Sequence, residues 1–257
     1  ITRQQITMGA SSYLKIGEGC NYQCGYCIIP KLRGKYISRP IENIVKEAQM
    51  LADKGVTEII LIAQDTSSYG IDLYGKQKLP ELLEKLNQIQ NLSWIRIMYA
   101  YPTQMTDELI DAIAKLDKVV KYVDIPLQHS HPRVLESMRR PVMDYRELIE
   151  KIRKKIPGVS VRTSLIVGYP GETEEEFEHL YKFVQDIKFD RMGAFEYSRE
   201  KETYSYNLKK QIPAKIKKQR RNKLMELQQK ISLENNRKYI DSTIKCIVEG
   251  YTDEGVI

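Results

Sequence analysis

Cys20-Asn21-Tyr22-Gln23-Cys24-Gly25-Tyr26-Cys27 gathers three thiols in one short stretch of a chain whose only other cysteine is Cys246. Thiolates are ligands of soft or borderline metals, and spacers of three and two residues let one loop wrap three sulfurs around a single centre. A structural zinc site is normally closed by four ligands, so three sulfurs leave a position open for substrate chemistry. The stretch therefore reads as a reactive cluster, best taken by iron and sulfide. Two alternatives stand beside it: zinc with His129 or Cys246 as a distant fourth ligand, and a disulfide framework, for which the cysteines are sparse and no apolar secretory segment opens the chain.

Just before this stretch, Ser12-Tyr13-Leu14-Lys15-Ile16 alternates as a strand does and delivers the cysteines at its end. The loop runs on through Pro30, Arg33 and Gly34. Pro40 then suits a first helical position, with Ile41, Ile44, Val45, Ala48, Leu51 and Ala52 as one apolar stripe and Gly55 as the stop. The near-continuous apolar run over 58–63 is that of a parallel strand covered on both faces. Helices are expected over 79–89, from Thr106 onward, over 133–138, after Asp144 and after Thr173; strands are expected over 94–99, 121–127, 159–167 and 191–197. Asp144 with Glu147, and Thr173 with Glu176, have capping-box spacing.

Six strands alternating with helices define an α/β chain with a parallel sheet and right-handed crossovers. Six units are too few to close an eight-stranded barrel, so a partial, open (βα)6 TIM-like barrel is expected. Ligands of such sheets bind at the C-terminal ends of the strands. The cysteine loop, Gln64-Asp65, Tyr99-Ala100-Tyr101, Gln128-His129-Ser130, Gly168-Tyr169-Pro170-Gly171 and Tyr197-Ser198 all follow strands and are expected to share one rim.

At 257 residues and 42% hydrophobic, the chain can bury one large core. Its formal charge of +7 points to an acidic or nucleic-acid-rich partner. No apolar run reaches the roughly eighteen residues of a membrane helix, so no membrane partner and a reducing, cytoplasmic setting are expected. A long helix after Pro213 carries Lys215, Lys217, Lys218, Arg220, Arg221 and Lys223, either as a solvated face or as a docking face for a ribosome, an RNA or an acidic protein. Residues 243–249 read as the opening of a small β module, which divides the chain into a barrel with its C-terminal helix (1–235) and a truncated module (236–257). The chain begins without Met and stops inside that β region, as a fragment would.

The Cys-x-x-x-Cys-x-aromatic-Cys spacing directly after a strand resembles that of the radical S-adenosylmethionine superfamily, and the resemblance runs over most of the chain. It implies that Cys20, Cys24 and Cys27 hold a 4Fe-4S cluster whose free iron binds the amino and carboxylate groups of S-adenosylmethionine, and that the product is a 5′-deoxyadenosyl radical able to take hydrogen from an unactivated carbon. By the same resemblance Tyr26 packs near the adenine, Gly168 and Gly171 lie close to the nucleoside, and Gln128 and Ser130 bond its ribose or methionyl part. Arg162 pairs with the carboxylate, and Gln64 and Tyr197 complete the cofactor rim. Asp65 and His129 are the candidate catalytic residues, in contact with substrate.

Within the superfamily, Tyr13-Leu14-Lys15-Ile16 with Glu18-Gly19-Cys20, Ile29-Pro30, Arg33-Gly34, and Arg162-Thr163 with Gly168-Tyr169-Pro170-Gly171-Glu172-Thr173 resemble the methylthiotransferases. Ala63-Gln64-Asp65-Thr66 and Asp124-Ile125-Pro126-Leu127-Gln128-His129-Ser130 resemble the branch that methylthiolates the β-carbon of an aspartate in a small-subunit ribosomal protein. The branch acting on tRNA adenosine is the alternative, and a zinc-stabilised RNA-binding module is the alternative from another class. The family also implies an amino-terminal domain with a second 4Fe-4S cluster for sulfur donation, whose thiols nothing before Cys20 supplies, and a carboxy-terminal TRAM-like β module that makes RNA contact and begins near Asn236.

Overall fold

The computed structural model describes residues 9–252 and 255–256. Most of the lead-in expected over 1–10 lies outside the described residues, as does Ile257.

Six parallel strands form the frame: β1 (Ser11–Lys15), β2 (Glu58–Ile62), β3 (Trp94–Ile97), β4 (Tyr122–Asp124), β5 (Ser160–Val167) and β6 (Arg191–Glu196). Strands β1, β2 and β3 pair in that order, with Ser11 opposite Glu58 and Glu58 opposite Trp94. Strands β4, β5 and β6 pair likewise, with Asp124 opposite Arg162 and Arg162 opposite Arg191. The two trios meet where Ile95 bridges to Val119, its N–H donating to Lys118 O at 2.7 Å and its carbonyl accepting from Val120 N–H at 3.0 Å. Among the described residues β6 does not pair with β1, so the six-stranded sheet curves into an open barrel.

Alternation along the strands separates two faces. On β5, Val161, Thr163, Leu165 and Val167 are buried while Arg162, Ser164 and Ile166 are only partly covered; on β1, Leu14 is buried while Tyr13 and Lys15 are exposed. The buried set meets a layer of helices: α1 (Ile41–Asp53), α2 (Leu79–Asn87), α3 (Asp107–Lys115), α4 (Tyr145–Lys155) and α5 (Glu174–Ile187). Leu79, Leu82, Leu83 and Leu86 of α2 are all completely buried, each worth about 2 kcal/mol of transfer free energy. The other strand face lines the barrel interior.

Helix starts follow local chemistry. Thr106 Oγ1 accepts from Leu109 N–H, Asp144 accepts from Arg146 and Glu147 N–H, and Thr173 and Glu176 form both halves of a capping box. Pro40 sits at the N-cap of α1, one place earlier than its sequence reading, because its ψ of 139° is extended. Strands β3 and β4 are shorter than the apolar runs that predict them. The backbone turns left-handed at Tyr99 (φ 60°), just beyond β3, and Pro126, with no N–H to donate, interrupts the ladder after β4; Gln128 (φ 73°) is left-handed as well but still pairs with β5.

The long helix α6 (Ala214–Arg237) lies against β6 and α5, with Leu224 and Ile231 in the core and Gln228 Nε2 donating to Phe189 O at 2.9 Å. Its basic run is partly covered and partly solvated. Arg220 is buried and paired with Glu172 and Glu174, Lys217 Nζ donates to Tyr197 O, Lys223 pairs with Glu178 and Arg221 with Glu196. Lys215 and Lys218 remain exposed. Residues 243–249 form no strand; the β structure that follows is a two-residue antiparallel pair, Tyr251–Thr252 with Gly255–Val256.

Candidate active site at the strand-end rim

The thiol loop is built as a closed excursion from the end of β1. A short antiparallel ribbon, Gly17–Glu18 with Ile37–Ser38, seals its neck, and Cys20 N–H donates to Gly34 O at 3.1 Å. Gly19 has a φ of 83°, and a Cβ there would lie 2.2 Å from Lys35 O, so no other residue fits the neck. Further along, Gly25 N–H donates to Met138 O at 2.7 Å and Gly25 O accepts from Ser205 N–H at 2.8 Å. The middle of the loop is thus fastened by main chain on both sides. Gln64 Oε1, at the end of β2, accepts from Gly19 N–H at 2.7 Å and ties the neck to the next strand.

Cys20, Cys24 and Cys27 are all reduced and partly covered, and Cys27 N–H donates to Cys24 O at 3.0 Å. Burial pushes the Cys20 thiol up to about 11, and the neighbouring Cys24, Asp65 and Cys27 push in the same direction. Burial and Cys24 raise Cys27 as well, against the nearby Arg140. The three sulfurs therefore sense one another's charge. Among the described residues, however, no three His, Cys, Asp or Glu side chains are grouped closely enough to hold a single metal ion. That disfavours the zinc alternative, and its proposed fourth ligands are elsewhere: His129 is completely buried with Nδ1 accepting from His131 N–H, and Cys246 is exposed beside Ile244 O. A cubane fits the donor set better, because each thiolate ligates a different iron.

The remaining candidates divide into those at the rim and those turned away. Tyr26 packs toward Val134, Met138, Tyr169 and Tyr197, its hydroxyl within hydrogen-bonding reach of Cys24 and its acidity strongly suppressed by burial. Asp65 is buried beside Cys20, but its carboxylate accepts from the backbone and hydroxyl groups of Ser67 and Ser68, so it shapes the turn after β2. Burial raises its pKa against those bonds. Arg162 faces the barrel interior and pairs with buried Asp124 at 3.3 Å. Gln128 continues the pairing with β5 through backbone bonds to Ser164 and Ile166. Tyr197 is buried, its hydroxyl donating to Ser205 at 2.8 Å. Gly168 takes a φ of 72° directly against the Lys217 side chain. Its N–H and that of Tyr169 both donate to Glu172.

His129 and Ser130 leave the rim. Ser130 bonds the exposed His179 of α5 at 3.0 Å, and His131 packs edge-on against the same ring, so the three histidines of the chain gather beside α5, with His129 buried and His179 at the surface. Burial pushes His129 down to about 3, with His131 adding to it. The left-handed turn at Gln128 is the cause.

Two cavities adjoin the loop. One of about 320 Å³ opens into the barrel and is lined by Tyr13, Lys15, Gly17, Gln64 and Tyr99; the other, about 200 Å³, lies behind Cys20 between Tyr22, Tyr36, Asp65 and Asp72. A larger cleft of about 770 Å³ lies between α2 and α3, remote from the thiols. Sequence reasoning missed Arg140, which follows the short helix Pro132–Ser137, is buried and reaches to 4.0 Å from Cys24 Sγ. It also missed the stack of Tyr22 on Tyr101, 3.6 Å apart. The one available signal was an Arg-Arg-Pro run beyond the fourth rim loop.

Three free thiols on the first strand-end loop of an open parallel barrel define a class, and residues 14–184 match the radical SAM superfamily model. The chain belongs to the radical SAM superfamily. Over nearly its full length it is similar to the ribosomal protein uS12 methylthiotransferase RimO of several bacteria. It is 54% identical to that of Caldanaerobacter subterraneus, covering 94% of this chain and 56% of that protein, and 51% identical to that of Clostridioides difficile, covering 100% and 58%. The chain thus spans little more than half the length of these relatives. Among solved structures, the radical S-adenosylmethionine methyltransferase TsrM of Kitasatospora setae, with cobalamin and a [4Fe-4S] cluster bound, superposes with a TM-score of 0.60 at 18% identity, over 73% of this chain and 37% of that one. The coproporphyrinogen III oxidase HemN of Escherichia coli gives 0.59 at 16% identity, over 88% and 52%. At these identities the likeness is one of fold. No helix among the described residues is long and apolar enough to cross a membrane.

Proposed function

We propose that this chain is the radical-generating core of a methylthiotransferase that modifies the β-carbon of an aspartate in ribosomal protein uS12. The observation that carries the reading is the trio of half-buried reduced thiols on one fastened rim loop, in a sequence about half identical to uS12 methylthiotransferases. Cys20, Cys24 and Cys27 would hold a 4Fe-4S cluster, with S-adenosylmethionine as the second cofactor. When bound, this pair supplies a low-potential electron to a sulfonium and so permits hydrogen abstraction from an unactivated carbon. The protein's part is positional. Gly168 and Gly171 let the loop after β5 approach a nucleoside closely, Glu172 fixes that loop through two backbone N–H groups, and Tyr26 covers the thiols from the side of Val134, Met138, Tyr169 and Tyr197. Gln64 and Asp65 hold the loop neck and the turn beside it. Tyr13, Lys15, Tyr99 and Arg162 line the interior that would receive the aspartate side chain. A sulfur-donating second cluster needs thiols beyond the four cysteines here, since three are in the loop and Cys246 stands alone.

Anaerobic reconstitution with iron and sulfide tests the reading. The expected product is a brown protein that bleaches with dithionite and releases 5′-deoxyadenosine from S-adenosylmethionine, and Cys24→Ala removes all three properties. The full-length enzyme incubated separately with uS12 and with tRNA should add a methylthio group to the protein alone, as read by mass. A colourless protein holding a single zinc would overturn the assignment.

A further inference from the structure

Arg140 is a buried cation without an anion. Only 8% of the residue is exposed, and no carboxylate among the described residues lies within ion-pair distance of it. One terminal nitrogen donates to Pro126 O, the other stands 4.0 Å from Cys24 Sγ, and Nε has no acceptor. The guanidinium plane lies over the Tyr101 ring at 4.3 Å, and Tyr101 stacks in turn on Tyr22 of the thiol loop, with their planes 7° apart. The charge is therefore held in place by rings and a carbonyl and aimed at a ligand sulfur. A buried guanidinium carries a large desolvation cost unless negative charge meets it. The other buried arginine among the described residues, Arg220, has such partners in Glu172 and Glu174. Around Arg140 the only groups able to become negative are the thiols, Cys24 foremost, and the tyrosine hydroxyls, whose ionisation burial opposes.

We infer that Arg140 is the built-in counter-charge of the thiolate-bound cluster and sets its reduction potential. The reduced cluster carries one more negative charge than the oxidised one, so a fixed cation near a ligand sulfur stabilises the reduced state and raises the potential. Arginine suits the place because its flat, weakly hydrated guanidinium stacks on Tyr101 while keeping its charge. The inference rests on the cluster assignment and adds to it a residue that ligates nothing.

The test is an EPR-monitored redox titration of the anaerobically reconstituted full-length protein, with iron and sulfide counted for each sample. Arg140→Met, with wild-type iron content, is expected to titrate at a more negative potential. On the order of a tenfold loss in the reduced fraction at fixed potential is expected, equivalent to about 59 mV for a one-electron couple. Arg140→Lys, which keeps the charge but not the stacking, should lie between the two. If Arg140→Met fails to fold, Arg140→Gln, which can still donate to Pro126 O, takes its place with the same expectation. A fully loaded neutral variant with an unmoved potential overturns the inference, whether or not S-adenosylmethionine binding weakens. So does an Arg140→Lys potential indistinguishable from that of the neutral variant. A wild-type protein that takes up no iron overturns the cluster assignment instead, and the iron count separates the two failures.

Discussion

At Gly19 a single missing methyl group decides whether the thiol loop can close. The residue combines a φ of 83° with a carbonyl, Lys35 O, where a Cβ would have to be. Gly19→Ala is expected to lower the melting temperature by several degrees, about 2–4 °C per kcal/mol for a chain of this size, and to reduce iron uptake in reconstitution. A thermal melt beside an iron assay checks both. Residue-level chemistry was legible where the partners are local in sequence. The thiol spacing announced the loop, since Cys20, Cys24 and Cys27 share it by covalent connection alone. Arg140 was not legible, because it meets Cys24 across 116 residues and no periodicity encodes that meeting. His129 and Ser130 were misread for the opposite reason. They follow a strand, as rim residues do, yet beyond the positive φ at Gln128 the buried His129 accepts from His131 N–H and Ser130 meets His179 at the surface of α5.

Among the elements, α5 has the most complete start. Thr173→Ala removes the acceptor for Glu176 N–H and should cost about 1 kcal/mol in chemical denaturation. Burial would raise the Glu176 carboxyl, but hydrogen bonds from Arg133 and Thr173 N–H outweigh it and hold the group near 2. A carboxyl depressed in the folded state stabilises above its unfolded pKa and loses that contribution as the pH falls toward the folded value. Stability should therefore decline from about pH 4.5 toward pH 2, and Glu176→Gln should flatten this limb of the curve. The Arg220–Glu172 pair titrates in the other direction. Burial raises Glu172 to about 7 even with Arg220 beside it. Arg220→Met leaves that carboxylate buried and uncompensated, at a cost of about 3–5 kcal/mol, and the loss should be larger at about pH 8 than at about pH 6, where a proton can neutralise it. Denaturant melts at the two pH values decide. The Thr173–Glu176 capping box could be read from sequence because it spans four residues; at Asp144 only the N-cap half forms. The ion pairs of the basic helix could not, since Glu172, Glu174, Glu178 and Glu196 meet it through the fold and not through sequence spacing.

At the scale of the whole molecule, strand alternation was sufficient to give an open six-unit barrel, because each βα repeat shows its own hydrophobic period. The middle of the sheet and the chain beyond the barrel were less legible: β4, at the junction of the two trios, is only three residues long, and residues 243–249 contribute no strand. Of the six basic residues in the first half of α6, Arg220 and Lys217 are taken up by the barrel, while Arg221 and Lys223 form exposed pairs with Glu196 and Glu178. Two exposed lysines without an acidic partner among the described residues, Lys215 and Lys218, can release about two counterions, so replacing both by Gln should change the salt dependence of RNA binding by a slope of no more than about 2. A steeper change, measured by filter binding across a salt series, would return the helix to the list of docking surfaces.

The start of the barrel holds one further consequence. Ser11 Oγ lies 2.8 Å from a Glu58 carboxylate oxygen and 2.9 Å from one of Glu249, its single proton serving either, Glu58 holds Arg96, Arg96 lies over Tyr122, and Arg162 joins Asp124. This polar chain ties together five strands, β1 to β5. It stops short of β6, whose outer edge has no strand partner among the described residues and which is braced by α6 instead, so the seam of the barrel depends on a helix that lies outside the βα repeat.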